Sequence, residues 1–348
     1  MNKKQALIQL TTALIIAVIF TISTLNKRIY EKKEELILLP DLPVNDIHKI
    51  IIKDHNGFTE LVAGNQEWQV TNRGNYPADF DKVRQLLTGL KEVKVIRKPQ
   101  VGRSQLSRLK VTKEKGTQIS LFNKAGQVVQ SILFGKRHFS DNADNRIISS
   151  NGQSPSGRYA RLNEDSETVL LLDQHFSNID AEAQNWIDKS FVQMGVIKSI
   201  NVMFKDYPEE NWELKSTDKK GNMKLQGLAE NQKSNLSKIQ SLVNFFPSPK
   251  LVDVVTDNAT LQLVQFNTAV TIEDEDGFRY QYAFGTEIDD TTIIKVKTTF
   301  AKPNKERVEK LKKEHKYSQW FYQIPTALIE AFKFKRSELI KTTEKSEK

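Results

Sequence analysis

The chain has 348 residues, enough for two domains of ordinary size, and 38% of them are hydrophobic, which is sufficient for packed cores. It contains no cysteine, which excludes disulfide scaffolds, thiolate nucleophiles and cysteine-ligated metal sites. The formal net charge is +9, but residues 1–33 carry six Lys and Arg against one Glu, and residues 301–348 carry 13 against seven. Because the body between these ends is slightly acidic, the charge pattern argues against a nucleic-acid groove. We interpret the basic ends as solvated termini, with contact to anionic lipid head groups as the alternative.

The first predicted element is the uncharged stretch ALIQLTTALIIAVIFTISTL at residues 6–25. As a helix it would span about 30 Å, the thickness of the hydrocarbon core of a bilayer. A secretory signal peptide usually has a shorter apolar region and an A-x-A-like cleavage site, which this stretch lacks. The sequence therefore predicts a short cytoplasmic tail and an uncleaved transmembrane anchor over residues 1–25. The flanking Lys and Arg residues leave the side of the membrane open.

After a linker at residues 26–46, the chain alternates between strand-like and helix-like stretches. Strands are predicted around Asn56-Gly57, a dipeptide typical of hairpin turns. A helix is predicted to start near Asp79, because apolar residues follow it at helical spacing. A further hairpin turns at Lys124–Gly126 and leads into the phrase SILFGKRH.

The second half repeats this order of elements. Strands surround Trp212, a helix is predicted over SNLSKIQSLVNFF, and a hairpin turning at Asp274–Gly277 leads into QYAFGTEI. The doubled Phe-Gly, at Phe134 and at Phe284, is interpreted as a half-buried strand end followed by a glycine turn. We therefore predict an α+β fold, in which an N-terminal transmembrane helix precedes two tandem α+β repeats with antiparallel sheets. The predicted domains are residues 47–192, residues 193–334 with the C-terminal helices, and a charged tail at residues 335–348.

Several motifs in this order resemble the family of domains of unknown function numbered 4340. They are EWQV, YPADFDKVRQLLTGL, SILFGK, GRYARL, NWIDKSF and WFYQIP, and the resemblance covers most of the chain from about residue 47. Members of the family are membrane-anchored proteins often encoded beside gliding-motility-type ABC transporters. The resemblance implies a body on the periplasmic side of the inner membrane, a role associated with a transporter complex, and no catalytic residue.

No motif in the chain predicts a catalytic, cofactor-binding or metal site. The five histidines are far apart in sequence, and none stands in an H-E-x-x-H spacing. The best candidate for binding is the segment GKRHFSDNADNR at residues 135–146, where Lys136, Arg137, His138 and Arg146 could hold an anion or an acidic partner. The other interpretation of this segment is a plain solvated loop.

These observations favour a non-enzymatic, membrane-anchored accessory module of an envelope complex, with membrane and protein partners and no cofactor. One alternative is a protein that binds an envelope ligand in a cleft between the repeats. The other is an enzyme whose active-site residues are too dispersed in sequence to recognise.

Overall fold

A computed structural model of the chain describes residues 36–65, 67–139, 155–163, 166–218, 222–243, 251–300 and 305–342, together with Thr21. The stretch at residues 6–25 predicted to be an anchor thus lies outside the described residues, apart from Thr21. No helix within these ranges has both the length and the apolar character needed to cross a membrane.

Strands form most of the regular structure in the described ranges. The strands are β1 (Leu36–Ile37), β2 (Ile47–Lys53), β3 (Phe58–Ala63), β4 (Trp68–Val70), β5 (Tyr76–Pro77), β6 (Lys94–Arg97), β7 (Thr117–Asn123), β8 (Val128–Phe139), β9 (Pro155–Leu162), β10 (Leu170–Leu172), β11 (Ile197–Phe204), β12 (Trp212–Ser216), β13 (Met223–Leu225), β14 (Gln232–Ser234), β15 (Asp253–Val255), β16 (Thr268–Asp274), β17 (Phe278–Ile288), β18 (Thr291–Phe300), β19 (Phe321–Pro325) and β20 (Ile340–Thr342). The helices are α1 (Phe80–Glu92), α2 (Arg103–Leu106), α3 (Leu236–Val243), α4 (Asn258–Leu263), α5 (Lys305–His315) and α6 (Thr326–Ile329).

The chain divides into two compact units, and each unit combines separate segments of the sequence. The first unit comprises residues 1–45, 86–116 and 132–178, and the second comprises residues 46–85, 117–131 and 179–348. The domain boundaries predicted from the sequence, at residues 47–192 and 193–334, stay a prediction.

The first unit is built on antiparallel strands in the order β1-β6-β10-β9-β8, the last represented by residues 132–139. Its core contains Leu90, Val93, Val111, Phe134 and Leu172, each with no exposed surface. Because these side chains come from two separate segments of the sequence, residues 86–116 and 132–178, the unit forms only when distant parts of the chain meet.

The second unit contains two larger sets of antiparallel strands and a small pair. One set has the order β7-β2-β3-β4-β5, the other has the order β13-β12-β11-β16-β17-β18-β19-β15, and β14 pairs with β20. In the longer set, β16, β17 and β18 follow one another along the chain and pair as neighbours, with turns at Gly277 and Asp289, which both have positive φ angles. Aromatic side chains fill much of the core, and the largest fully buried ones are Tyr76, Trp186, Phe278, Tyr280, Tyr322 and Phe332.

The predicted fold, a transmembrane helix followed by two tandem α+β repeats, is wrong. The described chain is mostly antiparallel sheet in three sheets, and its helices are few and mostly short. The local elements were recognised correctly: α1 begins after Asp79, whose Oδ1 accepts a hydrogen bond from the Lys82 amide at 3.1 Å, and α3 covers Leu236–Val243. The error lay in their assembly, because hairpins expected to stay in separate small sheets pair along both edges and join extended ones.

The doubled Phe-Gly is architectural, as predicted, but the glycines do not end the strands. Phe134 and Phe284 are 0% and 6% exposed, and their rings lie 4.9 Å from Phe176 and 5.6 Å from Phe332. Strands β8 and β17 continue through the following glycines to Phe139 and Ile288. A β-carbon at Gly135 would lie 2.3 Å from the Leu109 carbonyl oxygen, and one at Gly285 would lie 2.6 Å from Val264 Cγ1. Glycine is thus needed at both positions because another segment approaches closely.

Candidate anion-binding site

The end of strand β8 positions three of the four side chains that the sequence singled out. Past the buried Gly135, the Lys136 amide donates a hydrogen bond of 2.7 Å to the Leu109 carbonyl oxygen. The pairing of β8 with β9 shifts register between Phe134 and Arg137, as it does in a β-bulge. Bulges change the direction of the side chains that follow them, and here Lys136 and Arg137 emerge exposed.

A cavity of about 500 Å³ opens beside this strand end, within the first unit. Arg108, Lys136, Arg137 and His138 contribute to its lining, and none of the described lining residues is acidic. The structure therefore brings together three predicted residues and adds Arg108, which sequence reasoning missed because it stands 28 positions before Lys136. Arg146 lies outside the described residues.

Two further lining residues, Gln105 and Tyr159, supply hydrogen-bonding groups. The rings of His138 and Tyr159 meet edge to face with centroids 5.7 Å apart, and the Tyr159 hydroxyl lies 3.5 Å from His138 Nδ1. A contact of this length is a weak hydrogen bond, so both groups retain capacity to bond a ligand.

Backbone carbonyl groups, rather than carboxylates, are the described partners of two guanidinium groups at this strand end. Arg158 Nε donates to the Gly135 carbonyl oxygen at 2.9 Å, Arg158 Nη1 to that of Phe176 at 2.7 Å, and Arg137 Nη2 to that of Ser177 at 3.0 Å. In the part of the chain that the structure describes, no carboxylate forms an ion pair with either guanidinium.

Burial lowers the pKa of Arg158 to about 10, and the positive charge of Arg137 is a second, smaller cause of this decrease. Two guanidinium groups thus stand close enough to repel each other, and one of them is partly withdrawn from water. Of the two, Arg137 lines the cavity, so an anion bound beside Arg137 would offset part of this repulsion.

The acidic hairpin EDEDG, by contrast, has a structural role. Asp274 is fully buried and accepts hydrogen bonds from the backbone amides of Phe278 at 2.9 Å and Gly195 at 3.3 Å. The sequence predicted the hairpin turn at Asp274–Gly277 but not the buried carboxylate, because alternation alone does not show which acidic residue faces inward. Within the described ranges, no three His, Asp or Glu side chains gather as a metal site.

A second buried carboxyl, Glu314, lies at the end of helix α5 in the second unit. It is 6% exposed, and its Oε2 atom has no hydrogen-bond partner among the described residues, as is also true of the nearby Tyr282 hydroxyl. The pKa of Glu314 is raised to about 6, because the effect of burial exceeds the opposing effect of Lys310. The Lys310 Nζ atom lies 3.8 Å from Glu314 Oε1, and its positive charge favours the ionised carboxylate. The charged carboxylate is therefore less favourable in the folded chain than in the unfolded chain.

This difference predicts a pH-dependent stability. Below about pH 4.5, the pKa of an unperturbed Glu, the carboxyl is protonated in both the folded and the unfolded chain, and the fold keeps its full stability. As the pH rises through about 6, the carboxyl must ionise in the folded chain, and this part of the stability is lost. Glu314→Gln, which cannot ionise, should therefore be more stable than the native chain at pH 7.5, by about 1 kcal/mol after solvent screening. Near pH 4.5 the advantage should disappear. Melting temperatures across this range test the prediction, with the exposed Glu309→Gln on the same helix as control. An advantage for Glu314→Gln that did not change with pH would contradict it.

Comparison with protein families identifies the chain. Residues 68–266 match the model of the family described as Domain of unknown function (DUF4340), and this range covers more than half of the 348 residues. The chain belongs to this family. The family named from the sequence motifs is thereby confirmed over residues 68–266. The matched range contains Arg108, Lys136, Arg137 and His138, so the basic cavity is part of the DUF4340 segment. No curated protein and no solved structure shows significant similarity to the chain.

Proposed function

We propose that this DUF4340 protein is a non-enzymatic accessory module of an envelope complex, and that its basic cavity binds an acidic group of a protein partner. The observation that carries the proposal is the concave site whose described lining contains four basic residues and no acidic one. The proposal extends to the setting: the body stands at the periplasmic face of the inner membrane and the partner belongs to an ABC-type transporter complex. The family resemblance carried by the sequence motifs supports this setting.

The charge pattern of the whole chain supports a local role for the cavity. The basic ends account for the positive net charge, and the body between them is slightly acidic. On a slightly acidic body, a basic cavity attracts acidic groups to that one site, because the rest of the surface does not attract them. Arg137 and Lys136 are exposed at its edge, where mutation changes binding without disturbing a core.

Copurification tests the proposal with the full-length chain. The tagged protein is extracted from its own membranes in mild detergent, and the copurifying proteins are identified by mass spectrometry. The double variant Lys136→Ala and Arg137→Ala should lose a partner that the native chain retains, and salt should weaken the native complex. The free energy of unfolding of this double variant should differ from the native value by no more than about 0.5 kcal/mol, because both side chains are exposed.

The matched control is the double variant Lys91→Ala and Lys115→Ala, which removes two exposed positive charges of the same unit that do not contribute to the cavity lining. It should retain the partner. Equal loss in both variants would show a nonspecific effect of net charge, and retention in both would contradict the proposed site. Protease added to intact spheroplasts before extraction should digest the body, and its protection would contradict the periplasmic setting.

A further inference from the structure

The basic cavity of the first unit also has an apolar lining. Pro99, Val101, Leu109 and Phe139 contribute to it together with the basic side chains. Phe139 is 39% exposed at the end of strand β8, although a phenyl ring is favoured inside. An inorganic anion would contact the basic groups and leave these apolar groups in water.

A ligand that contacts both kinds of lining must carry an anionic group next to an apolar one. The anionic group would contact Arg108, Lys136 and Arg137, and the apolar group would cover Phe139 and Val101. Removing these apolar surfaces from water adds to the electrostatic attraction, so such a ligand binds more tightly than either half alone.

The size of the cavity limits how much of a partner enters it. A volume of about 500 Å³ lies within the range of sites for small ligands, so it accepts about two side chains rather than a folded surface. Gln105 and Tyr159 offer hydrogen-bonding groups that suit the amides of a peptide backbone. An acyl chain has no group for them to bond.

We infer that the cavity binds an acidic peptide segment in which an apolar side chain stands next to the carboxylate. This inference rests on the proposed function and specifies which part of a protein partner the site takes. The basic lining would then recognise the charge of the carboxylate, and the apolar lining would recognise the shape of the apolar side chain and bury its surface.

Titration of short unlabelled peptides against the full-length protein tests the inference. The probe is acetyl-Gly-Leu-Asp-Gly-amide, and its matched partners replace Leu with Ala or Asp with Asn. Saturation-transfer NMR measures each affinity without a dye, which would itself be an apolar anion. The Leu-Asp peptide should bind about tenfold more tightly than either partner.

Variants of the protein separate the two linings. Arg137→Gln should remove the preference for Asp over Asn, and Phe139→Ser should remove most of the preference for Leu over Ala while keeping the preference for Asp. Phe58→Ser, at another exposed phenylalanine, is the control and should leave both preferences intact. Melting temperatures establish that the variants remain folded.

The outcomes that oppose the inference differ from those that oppose the proposed function. If the Ala-Asp and Leu-Asp peptides bind equally, the inference is wrong and the anion site stands. If no acidic peptide binds the native chain, both fail. If phosphatidylglycerol vesicles bind in an Arg137-dependent manner while the peptides do not, the site serves a lipid head group and the inference is wrong.

Discussion

Replacing Phe134 with alanine should lower the free energy of unfolding by about 3–5 kcal/mol. The ring has no exposed surface, lies 4.9 Å from the ring of Phe176, and has the Arg158 guanidinium over its face at 5.6 Å. Its removal would leave a cavity and take away an aromatic and a cation–π contact at once. Because domains are typically stable by about 5–15 kcal/mol, this loss should be visible as a large shift of the denaturation midpoint.

Phe139→Ala is the matched control for this prediction, since it removes the same ring from the same strand at a position that is 39% exposed. It should cost less, because a large part of its surface stays in water in the folded chain, whereas none of the Phe134 surface does. Denaturant unfolding followed by circular dichroism measures both variants. Equal losses at the two positions would mean that Phe134 is not the packing centre of the first unit.

Replacing Gly135 with alanine should be similarly damaging, with a loss of about 3 kcal/mol, the upper end of the usual cost of overpacking. The new β-carbon would lie 2.3 Å from the Leu109 carbonyl oxygen and 2.5 Å from Val111 Cγ1. The first of these is a backbone atom that accepts the Lys136 amide hydrogen bond, so it cannot move without breaking that bond. The variant should therefore also weaken partner binding by displacing Lys136.

Gly102→Ala is the control, because nothing lies within 4 Å of the β-carbon it would add. Its stability should stay within about 0.5 kcal/mol of the native value. Thermal unfolding and copurification of both glycine variants give the two measurements. A stable Gly135→Ala protein that keeps its partner would contradict the close approach of the two segments.

The sequence by itself determined the local elements. Apolar residues at helical spacing after Asp79 predicted helix α1, and glycines with positive φ, Gly126 and Gly277, stand at two of the three predicted hairpin turns. These elements can be predicted from the sequence because each depends only on residues that lie within one helical turn or one hairpin of each other. For the same reason, the consecutive residues Lys136, Arg137 and His138 could be predicted as neighbours at a strand end.

Only the tertiary structure decided which strands pair and which distant side chains share the cavity. Alternation shows that a stretch has a buried face, but it does not specify which other strand pairs along each of its edges. For that reason the sequence predicts two repeats rather than the larger sheets. Arg108 joins Lys136 and Arg137 at the cavity only because residues 86–116 and 132–178 fold into one unit. The physical reason is that strand pairing and charge clustering arise from contacts between segments far apart in the chain, whose energies no local pattern contains.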